Sequence, residues 1–167
     1  MSMHSVTVRE FNRRVFVESY PRIFKYLSLL GENEVWKSPN PQVASVGNQI
    51  LHLCGHARQW ILSGLGDRPD NRNRDQEFVP QQNIRKADLI FLLENLKVNV
   101  QQVLKEMDDR KLVEELHVDG TSETGFSVLI HVIEHFSYHA VQIKALTKLM
   151  THKDKGYFRH FDLNQLN

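Results

Sequence analysis

The sequence predicts an all-α protein built as a four-helix bundle, and three observations lead there. Four stretches of about 22 to 26 residues carry apolar side chains at steps of three and four, the period of a helix buried along one face. No segment reads as a convincing strand, and there is no internal repeat or low-complexity tract. The length of 167 residues, 41% hydrophobic and 25% charged, suits one soluble core, so 1–167 is taken as a single domain.

The first helix is expected from about Val8 to Leu30, with Val8, Phe11, Val15, Tyr20, Ile23, Leu27 and Leu30 along one face. Pro21 lies inside it and is expected to kink or split it, because proline lacks an N–H and crowds the preceding turn. Gly31 and Pro39-Asn40-Pro41 mark a loop. The second helix begins near Ser45, a suitable N-cap, and ends around Gly64-Leu65-Gly66, with Val46, Ile50, Leu53, Ala57 and Ile61 as its seam. From Gly66 to Gln82 the chain is polar and aperiodic, which marks a functional loop or a long crossing, with Phe78 and Val79 available to pin it. The third helix spans about Lys86 to Met107. An irregular segment, Leu116 to Ser122, precedes the fourth, which starts near Thr124 to Ser127 and ends at Met150. Beyond Thr151, the side chains of Tyr157, Phe158, Phe161 and Leu163 supply enough apolar surface for the tail to dock.

Composition excludes several functions. Twenty-one basic and 20 acidic residues leave a net charge of +1, no field for gripping a phosphate backbone, so no nucleic-acid partner is expected. The longest apolar run, Leu89-Ile90-Phe91-Leu92-Leu93, is too short to span a membrane, and no signal peptide opens the chain. The lone cysteine, Cys54, forms no intrachain disulfide. A reducing, cytoplasmic setting is therefore expected, with Cys54 a small core residue rather than a nucleophile. Trp36 and Trp60 read as packing. Arg68, Arg72 and Arg74 lie among Asp67, Asp70, Asp75 and Glu77, a self-neutralised loop more than an anion clamp. No phosphate loop, Gly-x-Ser-x-Gly elbow or Cys-x-x-Cys pair is present.

Nine histidines carry the functional argument. The fourth helix holds His131, His135 and His139, each four residues from the next. Neighbours at that spacing lie one turn apart on nearly the same face and suit a shared metal ion. His131 and His139, about 12 Å apart along the axis, cannot share one. On a helical wheel His139 lies about 70° from the apolar seam, His135 about 110° and His131 about 150°, which favours the pair 135/139. A chance pair of surface histidines also fits that spacing. The second helix offers His52 and His56, and periodicity favours His56, about 40° nearer its seam.

The segment Ser45-Val46-Gly47-Asn48-Gln49-Ile50-Leu51-His52-Leu53, ending in Trp60, resembles the second helix of the DinB/YfiT-like superfamily, which is unrelated to the polymerase that shares the name. His135-Phe136-Ser137-Tyr138-His139-Ala140-Val141-Gln142-Ile143 resembles its His-x3-His-x-Gly-Gln-Ile pattern. Gly55, Gly64-Leu65-Gly66 and Arg72-x-Arg74-x-x-Glu77-Phe78 resemble one subgroup. The resemblance implies a divalent metal, zinc or nickel, held by His52, His135 and His139. It also implies up-down-down-up topology, with the 66–82 connection as the long crossover between helices 2 and 3. Ala140 and Val141 depart from the pattern, and bulk at 141 is expected to narrow the approach to the metal.

Three histidines leave metal positions open for water or substrate, the arrangement of catalytic rather than structural zinc. The resemblance accordingly implies a metal-dependent enzyme that transfers a low-molecular-weight thiol to an electrophilic small molecule, or less often hydrolyses or isomerises one. It implies a homodimer as well. No catalytic side chain stands out: Glu134 is about 100° round the helix from His135 and has at most a minor claim as general base, and His56 and His131 read as polar edge residues or as groups that orient ligands. The competing reading is a non-catalytic, stress-related metal-binding or dimerisation module, marked by a fourth protein ligand in place of exchangeable water.

Overall fold

The computed structural model describes residues 2–79, 81 and 83–151, and within them the chain is mostly helical. Helical turns Met3–Asn12, a π-helical stretch Arg13–Ser19 and turns Tyr20–Leu27 continue without a break as α1 (3–27). Pro21 does not split this helix. The wider stretch before it lets the Tyr20 N–H bond to Val15 O, five residues back, and proline then occupies the first turn of the following α segment. α2 (46–65) joins Val46–Ala57 to a π-helical stretch, Arg58–Leu65, and the Ser45 hydroxyl caps it by accepting from Asn48 N.

A 3-10 turn, Arg74–Glu77, punctuates the long connection to α3, Lys86–Glu106. The connection is fastened differently from expectation. Phe78 and Val79 remain 42% and 38% exposed, whereas the Asn48 amide donates to Glu77 O and Val79 O at 2.8 and 2.9 Å. A short helix α4, Asp109–Val113, follows, and α5, Gly125–Thr151, closes the described chain.

Between them lies a feature the sequence reading treated as irregular. β1, Glu115–Val118, pairs antiparallel with β2, Thr121–Thr124. Asp119 and Gly120 turn the hairpin with φ of 52° and 77°, the left-handed pair that an Asp-Gly turn supplies.

α5 packs on α1 and α2, and α2 packs also on α3. Phe11, Tyr26, Leu53, Leu93, Leu129 and Phe136 fill the common core. The Tyr20 hydroxyl donates to Leu93 O at 3.0 Å, tying α1 to α3. Cys54 is a core residue as expected, with burial pushing its thiol up to about 12. Among the described residues no helix is long and apolar enough to cross a membrane. The expected docking of the tail beyond Thr151 falls outside the described residues.

Candidate metal centre

α2 and α5 meet as antiparallel neighbours, because His52 faces His135 and His139 while His56, one turn later, faces His131. His52, His135 and His139 each offer a ring nitrogen, and these atoms all lie within 4.8 Å of one another. His52 Nε2 and His135 Nε2 are 3.0 Å apart. His52 and His139 are buried at 7% and 8% exposure, and His135 is half-buried.

Each outer ring is oriented by a partner on its far side. A carboxylate only accepts, so His52 Nδ1–H donates to Glu77 Oε2 at 2.8 Å, and Nε2 is left to face His135. His139 Nδ1 likewise donates to Gln49 Oε1 at 3.3 Å. These second contacts fix tautomer and ring angle in metal-binding histidines. Burial, reinforced by neighbouring imidazoles, lowers His135 to about 3 and His139 to about 4. Both rings are therefore neutral at pH 7, the state in which imidazole ligates. The donor set, three imidazoles each bringing a ring nitrogen within 4.8 Å of the other two, fits a divalent ion.

Glu77 is the functional residue that sequence reasoning missed. Arg72 grips it with two bonds, Nε to Oε1 at 2.8 Å and Nη2 to Oε2 at 2.9 Å. Burial raises the carboxyl's pKa, but the hydrogen bonds from Arg72 and His52 outweigh it and hold the group below its usual range. Gly55 makes the approach possible, since a Cβ there would collide with Glu77 Oε1. The other arginines of the loop are dispersed. Arg68 donates to Asn99 Oδ1 and Arg74 lies over the Phe78 ring, so no anion clamp forms among the three.

Several expectations need correction. His56 is no polar edge residue: it is 5% exposed, stacked on His135 at 3.8 Å, and burial with the neighbouring imidazoles lowers it to about 2. Periodicity favoured it over His52, yet the group of three that converges contains His52. Val141 is 56% exposed and about 200° round the helix from His139, so its bulk does not narrow this site. Glu134 is exposed, as its angle predicts.

A family model described as "Protein of unknown function (DUF1572)" matches residues 8–159. No curated protein matches the chain. Among solved structures, a conserved protein from Enterococcus faecalis superposes with a TM-score of 0.69 at 16% identity, over 92% of this chain and 99% of that one. A DinB-like protein from Bacillus cereus superposes with a TM-score of 0.64 at 18% identity, over 81% of this chain and 87% of the other. At these identities the likeness shows a shared fold.

Proposed function

The chain belongs to the DUF1572 family, a DinB-like family, and we propose that it is a metal-dependent enzyme that transfers a low-molecular-weight thiol to an electrophilic small molecule. One observation carries the reading: three imidazoles from two helices converge, each with a ring nitrogen within 4.8 Å of the others. Zinc or nickel suits such ligands. Among the described residues no fourth histidine, cysteine or carboxylate joins the cluster, which supports an open site over a closed structural one.

A divalent ion held there would lower the pKa of a bound thiol or water toward neutrality. The chain's own residues do the positioning. Glu77 and Gln49 orient the His52 and His139 rings, Arg72 holds Glu77, and the Phe78 ring lies 5.0 Å from that of His52. The thiol proton leaves to solvent. The sulfur lone pair forms the new S–C bond as the electrophile's leaving group departs with its bonding pair. Water as nucleophile gives the corresponding hydrolysis, the runner-up reaction.

The up-down-down-up arrangement belongs to the same proposal. Its support is the pairing of His4 with Leu104 and Tyr20 with Leu93 between α1 and α3, and the 52/139 and 56/131 pairs between α2 and α5. So does a homodimer, supported by Phe126, Ile130, Tyr138 and Val141, exposed along one side of α5.

Metal-loaded protein, offered several cellular thiols and a generic electrophile, is expected to consume thiol faster than the His135→Ala variant. Equal rates with every thiol, and no ester or amide hydrolysis, would leave a non-catalytic module in which metal ties α2 to α5.

A further inference from the structure

The two histidines outside the triad make a pair of their own. His56 Nε2 lies 3.0 Å from His131 Nε2, repeating the 3.0 Å approach of His52 Nε2 to His135 Nε2. The repeat follows from the helices. Residue 56 comes four after 52, residue 131 comes four before 135, and four residues is about one turn, so antiparallel neighbours meet again one turn along. Trp60 covers the second pair, stacked on His56 at 5.4 Å and 4.2 Å from the His131 ring. His56 and Trp60 are each 5% exposed, and among the described residues neither His56 Nδ1 nor Trp60 Nε1 has a hydrogen-bond partner. Within the protein the two Nε2 atoms hydrogen-bond each other, a contact that an ion held between them would replace.

Two nitrogens about 2.05 Å from one ion lie about 2.9 Å apart at a right angle and about 3.3 Å apart at the tetrahedral angle. The His56–His131 separation of 3.0 Å falls within that interval. We propose that His56 and His131 form a second divalent-metal site, separate from the triad, for an ion of the imidazole-preferring zinc, nickel or cobalt class. With two protein ligands instead of three, it binds more weakly than the triad. Its existence does not depend on what reaction, if any, the triad performs.

The test is a cobalt(II) titration of untagged, chelator-stripped protein, followed by visible absorbance and tryptophan emission. Two equivalents are expected, the second at least tenfold weaker and quenching Trp60. His131→Ala, and the more conservative His131→Gln, should abolish the second equivalent and its quenching while the first remains. His139→Ala should instead weaken the first equivalent toward the affinity of the second and leave the second in place. A single equivalent that His139→Ala weakens and the His131 variants spare would overturn the second site and keep the triad. A second equivalent that survives both His131 variants would also overturn it. A single equivalent removed only by the His131 variants would support this site and overturn the triad instead.

Discussion

Glu77 serves two partners at once, accepting from the His52 ring and from the Arg72 guanidinium, with all three side chains at most 9% exposed. Removing a group that orients a metal-bound histidine typically costs about 10–100-fold in affinity. Glu77→Gln is therefore expected to weaken the tightest metal equivalent by about that factor in chelator competition, whereas His52→Ala, His135→Ala or His139→Ala should cost more. Unchanged affinity in Glu77→Gln would show that the ring needs no such support. Glu77→Ala should in addition lower the melting temperature, because Arg72 would keep a buried charge without its partner. The histidines of this site are legible in the sequence as two i,i+4 pairs, and the resemblance selects His52. Periodicity could not make that choice. His52 and His56 are both buried, so rotation about the helix barely separates them, and the offset of α2 along α5 decides which meets His135 and His139. Glu77 stood out only within the Arg72-x-Arg74-x-x-Glu77-Phe78 resemblance, and its role did not, since it reaches His52 from an aperiodic loop 25 residues away.

At the scale of elements, the helices were legible because each buries one face over many turns, enough for a 3.6-residue period to stand out. Their centres agree with expectation at α2, α3 and α5, and Ser45 caps α2 where its hydroxyl predicts. The hairpin was missed for a physical reason. Its strands are four residues each, and β2 reads Thr-Ser-Glu-Thr with no apolar alternation, so period two has nothing to act on. Only Asp119-Gly120 signalled it, and a dipeptide alone specifies a turn, not its flanks. That turn is testable. Gly120 has φ of 77° with open space around its Cβ position, so Gly120→Ala adds left-handed strain and no clash. A destabilisation of about 1–2 kcal/mol is expected, a fall of roughly 3–6 °C in melting temperature, with metal affinity unchanged. No change in melting temperature would mean that the turn relaxes into another conformation.

Across the whole molecule, the metal centre is a store of acid sensitivity. Burial, with help from neighbouring imidazoles, lowers His56 to about 2, His135 to about 3 and His139 to about 4. In the unfolded chain the same rings titrate near 6.5. Above pH 6.5 neither state is protonated at these groups and their neutral packing contributes in full. As pH falls from about 6.5 toward 4, the unfolded chain takes up protons that the folded chain does not, and stability drops. A divalent ion bound only by the folded state opposes this, adding about 2.7 kcal/mol when its free concentration is 100 times the dissociation constant. In chelator, the melting temperature should therefore decrease markedly between pH 7.5 and 5, through the window set by these three shifts. At both pH values metal should raise it by roughly 5–10 °C, because His135 and His139 stay neutral in the folded state until about pH 4 and remain able to ligate. Differential scanning fluorimetry with and without zinc at both pH values reads all four states. If chelated protein melts at the same temperature at pH 7.5 and 5, then water reaches these rings in the folded state, and the buried, neutral ligand set on which the metal proposal depends is not there.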